Sequence, residues 1–378
     1  MPSFIPQGGP LRAGITLILG LCTLYILCVT ARAQMHQQPL FGHPPTTPIS
    51  DNRTYSVSFH LASSYGAAAV IISGDSEPDA NLQTYTFTTA GSDTYKSTMS
   101  RLSLHSSEHL APPYDSMQDY FDDVPRALAR RALKRVGLPS SGDVGSLSTV
   151  IVSLVEQIRS ALNITVADAV ITSTHLHALY QDDLYDIAQY ARFQYVEPKR
   201  LYQPMLWETG AACAGHGLNL CRDFRNTTAC YDEDRTTPVI NVLEVHYSAT
   251  ALTSSIARMY GPTSAFEDDT RRVEDFKLGG DARAGYKGGD EQYWSNVKEV
   301  IIRRMLEYQA TGRPDLVILT GDENVDNDKF RAVLDDALKE IMGPFAPPPW
   351  VLDDDAMVIA AKGAAELRRR GVRVPKDN

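Results

Sequence analysis

RPDLVILTGDENVDNDKFRAVLDDALKEIM, Arg313 to Met342, followed after a proline-rich turn by VLDDDAMVIAAKGAAELRRR, Val351 to Arg370, is the stretch on which the fold turns. Leu316 to Leu319 is a short apolar run, the pattern of a buried strand. It runs into Thr320, Gly321 and Asp322, and a helix is expected from about Asp326. The second stretch predicts a helix built on Ala and Gly from Asp354.

Outward from that ending, the pattern is strand, helix and strand again. Tyr55 to Phe59 alternates, Ala67 to Ser73 is an apolar strand, and Tyr85 to Thr89 is a third. Ser92 to Ser116 is rich in Ser, His and Pro and is expected to be irregular. Apolar residues at helical spacing predict a helix over Asp119 to Val136 (Tyr120, Val124, Leu128, Leu133). Ile151, Leu154, Val155 and Ile158 predict another over Val144 to Leu162. A strand at Asp168 to Ser173 and helices at Gln181 to Arg192 and Glu208 to Gly217 follow. The polar loop Cys221 to Pro238 marks a boundary, after which a strand runs through INVLEVHYS from Val239. One more helix is expected at Glu291 to Tyr308. This order predicts an α/β protein of two related halves.

Composition narrows the function classes. The chain has 378 residues, room for roughly two domains. It is acidic, 36 Lys and Arg against 46 Asp and Glu, without a dense basic stripe, so nucleic acid is not an expected partner. Arg368 to Arg370 end a predicted helix, where positive charge favours the dipole.

Ala13 to Thr30 is apolar between Arg12 and Arg32, and Ala31-Arg32-Ala33 before Gln34 suits signal peptidase. Residues 1–33 therefore read as a signal peptide, or as a signal anchor holding the membrane through residues 14–30. Either route is secretory, with the folded part lumenal or extracellular, secreted or membrane-anchored. Residues 34–54 read as a flexible stem. Sequons at Asn52, Asn163 and Asn226 fit a glycoprotein. Cys221 and Cys230 flank a polar loop and could close a disulfide in an oxidising lumen, while Cys213 reads as a buried thiol; three unpaired cysteines is the alternative.

Four pieces, in order, carry a resemblance. They are SVSFHLASSYGAAAVI (Ser56 to Ile71), ADAVITSTHLHALYQDDLYDIAQYARF (Ala167 to Phe193), WETGAACAGHGL (Trp207 to Leu218), and the closing VILTGD and DDAMVIAAKGAAEL. Together they resemble the nucleotide-binding domain of the seventy-kilodalton heat-shock chaperones, within the actin-like ATPase superfamily. The resemblance covers roughly Tyr55 to Arg370. It implies two ribonuclease H-like lobes, residues 55–237 and 238–372, with a reduced subdomain in lobe II and a tail at 373–378. It implies ATP or ADP with magnesium as cofactor.

Carried over residue by residue, the resemblance makes Glu208 the lobe I glutamate that orders metal-bound water, and Lys96 the local candidate for the catalytic lysine. Ser63, Ser64 and Tyr65 stand in the first phosphate turn. Gly279 and Gly280 resemble a lobe II turn, and Gly321 and Asp322 lie beside the adenosine. The departures are large. His60 and Ala62 stand where that family has Asp and Gly, removing a carboxylate for hydrated magnesium and a close backbone approach to phosphate. His246-Tyr247 stands where glycines should follow the lobe II strand, and is expected to fill the phosphate space or remodel its turn. Only Arg283 to Arg313 stands where the family inserts its adenine-clamping subdomain, and no peptide-binding domain is expected after Asn378. The expectation is a pseudo-ATPase or weak nucleotide binder acting as a scaffold for an unidentified protein partner, nucleotide binding being weak or absent. The alternative is an active phosphotransferase or ATPase with altered loops.

Other constellations have blander readings. His175-x-His177 with Asp182, Asp183 and Asp186 has metal-ligand residue types, but reads as a polar turn before helix-start carboxylates. Asp353 to Asp355 reads as N-capping rather than a calcium site. Paired carboxylates such as Asp268-Asp269 could serve glycoside hydrolysis, but nothing in the sequence places them in a cleft. No metal site is expected, and no G-x-S-x-G, H-E-x-x-H or Walker pattern occurs.

Overall fold

The computed structural model describes residues 54–73, 82–197, 205–218, 220–261, 265–266, 272–307, 313–344 and 349–371. The targeting segment, Asn52, Asp268-Asp269 and the 373–378 tail lie outside these residues. Among the described residues, no helix is long and apolar enough to cross a membrane.

Two mixed sheets organise the chain. The first contains β1 (Thr54–Leu61), β2 (Tyr65–Ser73), β3 (Gln83–Ala90), β4 (Asp168–Ser173) and β5 (Gln194–Tyr195) in the order β3-β2-β1-β4-β5. The second contains β6 (Ile240–Tyr247), β7 (Leu252–Met259), β8 (Ala265–Phe266), β9 (Arg272–Asp275), β10 (Leu316–Gly321) and β11 (Trp350–Leu352). Its order is β11-β10-β6-β7-β8, with β9 also pairing β7. In both, the first three strands form an antiparallel meander, and a later parallel pair extends the other edge of the first strand: β4 on β1 with β5 on β4, and β10 on β6 with β11 on β10. One topology is thus used twice.

The helices are α1 (Asp93–Leu102), α2 (Met117–Arg135), α3 (Gly142–Leu162), α4 (Gln181–Tyr190), α5 (Glu208–Gly215), α6 (Thr227–Thr236), α7 (Gly289–Glu307), α8 (Asp328–Met342) and α9 (Ile359–Arg369). Two of them correct the sequence reading. The supposedly irregular Ser92 to Ser116 holds α1, capped by the Ser92 hydroxyl and burying Tyr95, Thr98, Met99 and Leu102 at helical spacing. The cysteine loop holds α6, capped by Asn226, and Cys221 and Cys230 are disulfide-bonded across it.

α2 forms as expected with its faces reversed. Leu128, Tyr120 and Leu133 are exposed, while Asp123 and Arg130 are buried. Arg130 donates to Asp183 at 2.7 Å and to Asp186 at 2.7 Å, both on α4, and Lys134 reaches Asp186 at 2.6 Å. Burial raises the Asp183 carboxyl, with Arg130 opposing, whereas the Asp186 carboxyl is lowered because Lys134, Ser140 and Arg130 outweigh its burial.

The halves are joined by exchanged helices. α5 ends the first half, yet its Ala212 and Cys213 pack with Val242, Ala257 and Ile318 of the second sheet. α9 ends the second half, yet Ala361 and Ala365 pack with Ala67, Ala69 and Ile71 of the first. The helices touch backbone to backbone: a Cβ on Gly363 would lie 1.7 Å from the Ala211 carbonyl oxygen. Ser56 and Ser58 of β1 donate to the α9 carbonyls of Ala365 and Ala361 at 2.6 and 2.5 Å.

Candidate functional site

β6 alternates Glu244, His246 with Val245, Tyr247, so the two pairs point to opposite sheet faces. Val245 and Tyr247 enter an apolar core, where Tyr247 stacks on Phe330 with ring centroids 4.3 Å apart. Glu244 and His246 instead face the seam between the halves and are buried there. β1 does likewise: Val57, Phe59 and Leu61 enter a core, and Ser56, Ser58 and His60 take the other face.

Glu208 is the hub. It opens α5, where unpaired backbone N–H groups favour a carboxylate. His246 Nδ1 lies 2.9 Å from Glu208 Oε1 and 3.1 Å from Thr320 Oγ1. Thr320 donates to Glu244 Oε1 at 2.7 Å. His60 Nε2 lies 3.2 Å from Glu208 Oε1, an ion-pair distance, although neither His60 ring nitrogen has a hydrogen-bond partner among the described residues. His246 Nε2 meets the Ser63 hydroxyl at 3.0 Å, and that hydroxyl meets Ser248 Oγ at 2.6 Å.

Electrostatics follow from burial. Desolvation alone would raise the Glu208 carboxyl, but His246 and His60 outweigh it and hold Glu208 well below its ordinary value. Desolvation alone would lower His246, and Glu208 reverses that, so its imidazolium is favoured. Burial first, then Glu208 and Asp322, push the Tyr65 hydroxyl upward and keep it protonated.

The structure gathers most of the sequence-predicted residues here. Ser64 donates to Asp322 Oδ2 at 2.9 Å, and Ala249 N donates to the same oxygen at 2.8 Å. The Tyr65 hydroxyl donates to the Gly321 carbonyl at 3.1 Å. Gly321 has φ +135°, and a Cβ there would lie 1.9 Å from the Tyr247 carbonyl oxygen. Gly280 N donates to the Ser248 carbonyl at 2.9 Å, and Gly279 packs against the Ala249 and Thr250 backbone. Of the His246-Tyr247 pair, His246 is buried against Ser63 while Tyr247 lies on the opposite sheet face.

Lys96 is not drawn in by the described contacts. It lies half-buried on α1, one residue after Tyr95, whose hydroxyl meets the carbonyls of Ala62 and Tyr65. Successive helical side chains diverge by about 100°. Asn163 ends α3 and Asn226 caps α6, both exposed.

Glu244, Thr320 and Ser248 extend the site beyond the sequence-predicted residues, as does an outer ring. Thr209 meets Ser255 at 3.0 Å, and Arg272 Nη1 meets His175 Nδ1 at 3.1 Å. For Glu244 and Ser248 the trace in the sequence is a polar residue at every second position along and just beyond β6.

The two-histidine, three-aspartate group divides. Asp182, Asp183 and Asp186 pair with α2, while His175 and His177 turn toward Arg272. Asp353 and Asp355 pair with Arg331 and Lys362, and the α9 N-cap is Val358 without a side-chain cap, so the N-capping expectation is corrected. Donor atoms of Glu208, Glu244 and His246 lie within 4.8 Å of one another, as do those of His105, Glu108 and His177.

Compared with known proteins, the sequence matches no protein-family model and no curated protein.

Proposed function

We propose that the chain is a two-lobed protein of the actin-like ATPase superfamily, similar to heat-shock-chaperone nucleotide-binding domains, whose cleft has become a seam. It works as a pseudo-ATPase scaffold in the secretory route or at a membrane. One observation carries this reading: Ser63, in the turn that would receive phosphate, bonds to His246 and Ser248 of the opposite lobe.

Two further features support it. The two sheets share one strand order, and α5 and α9 cross between them, as duplicated ribonuclease H-like lobes require. Donors a phosphate would need are already used within the protein: Ala62 N donates to the Tyr65 carbonyl at 3.0 Å, and the Ser64 hydroxyl to Asp322. These residues do not fit a nucleotide phosphate or its magnesium.

Thermal melts of the full-length chain with Mg-ATP and Mg-ADP test the proposal. No saturable rise in Tm is expected. A ligand at a hundred times its Kd adds about 2.7 kcal/mol, so a saturable rise of that size would sink the reading in favour of an active or binding-competent ATPase. Endoglycosidase treatment after expression in a eukaryotic host checks the route: a mobility shift supports the lumen, and an unchanged band counts against it.

A further inference from the structure

Outside the seam, a second group of chemistry-bearing side chains converges at the surface. His105 and Glu108 lie on and beside a short 3-10 turn, His105–Ser107. His177 follows β4, and Glu274 lies on β9 of the other sheet. His105 Nδ1 lies 2.8 Å from Glu108 Oε1, and His177 Nδ1 lies 3.6 Å from that same oxygen. The opposite ring nitrogen, His177 Nε2, lies 3.4 Å from Glu274 Oε2.

We propose that His105, Glu108 and His177 form a zinc site, with Glu274 orienting His177 from behind. Two imidazoles and one carboxylate are a donor set that suits zinc. Bonds of about 2.0–2.1 Å in a tetrahedron place ligand atoms roughly 3.3 Å apart, and the observed 2.8 and 3.6 Å separations bracket that spacing. Metal-binding histidines characteristically give their second ring N–H to a carboxylate, which fixes the tautomer. Glu274 stands in that place for His177.

Arg272 points to the same tautomer. Its Nη2 lies 3.4 Å from His177 Nδ1, a contact that requires a lone pair on that nitrogen and puts the proton on Nε2. A bound cation would take this lone pair and displace the guanidinium, a planar fork that moves as a unit, from His177. His105 is 74% exposed, so the ion has an entry path and an open fourth position for water. The site would tie the 3-10 turn of one lobe to β9 of the other through the His177–Glu274 pair.

The test uses tag-free full-length protein, stripped with EDTA and titrated with zinc by calorimetry, with Co(II) absorption as a second probe. One equivalent of zinc is expected. Glu274→Gln should weaken it tenfold to a hundredfold, as loss of an orienting carboxylate does. His105→Asn and Glu108→Gln should weaken it at least as much. Both change exposed side chains, so their melting in EDTA should match the parent chain. No binding at micromolar zinc, or binding unchanged in both variants, overturns the proposal. Loss confined to His246→Gln would place the ion in the seam and overturn it equally.

Discussion

Two charged seams hold elements of this molecule together, and they are built from different bases. Between α2 and α4, Arg130 is clasped by Asp183 and Asp186. Between the two halves, Glu208 is clasped by His246 and His60. A guanidinium stays charged at any pH a protein survives, whereas an imidazole does not. The clasp of the first seam is buried too, but its flanking Asp182 and Lys134 are half-exposed, while the second is sealed. Equal ionic chemistry thus gives a fixed brace in one place and a titratable joint in the other.

The largest effect should come from breaking the sealed joint. Glu208→Ala leaves the buried His246 imidazolium without its counter-charge and should cost about 3–5 kcal/mol, read by denaturant unfolding. Arg130→Met should cost less, roughly 2 kcal/mol by the same measurement, because Lys134 still pairs with Asp186 and Arg126 with Asp182. An equal or larger loss at Arg130 would reverse the ranking of the two seams.

A smaller loss should follow from pH. His246 is raised above 6.5, so its contribution is full below that value and is lost as pH climbs through its folded value. Glu208 is depressed below 4.5, so its contribution is present above 4.5 and is lost as pH falls toward its folded value. The joint is therefore strongest between those two ordinary values and weakens in alkali, while Arg130 keeps its charge. Hydrogen exchange at alkaline pH, corrected for intrinsic rates, should show β6 and β10 losing protection before α4. Asp322→Asn, which removes a charged acceptor from Ser64 and Ala249 N, should cost about 1 kcal/mol in a thermal melt.

These regions also differ in how far the sequence disclosed them. β1 is legible from alternation over Tyr55 to Phe59, β2 and β10 from apolar runs, and the crossing helices from their Ala and Gly content. The roles of alternate residues are not. Glu244, His246 and Ser248 occur at every second position, a pattern that usually marks a solvent-facing side. Here a second sheet and its helices cover that side, which only long-range folding reveals. α2 misled for a related reason: Tyr120, Leu128 and Leu133 have core spacing, yet pairing of Arg126, Arg130 and Lys134 with α4 decided which face turned inward. α1 was hidden by its Ser and Thr content, although Ser92 three residues before Tyr95 is a helix-start pattern.

Glu208 and His246 act as one ionic unit joining the halves. A double-mutant cycle with Glu208→Gln, His246→Gln and the pair, run at pH 6 and again at pH 9, tests it most directly. A coupling energy of about 1–3 kcal/mol is expected at pH 6, declining at pH 9. Additive single mutants at pH 6, or a coupling indifferent to pH, would contradict it.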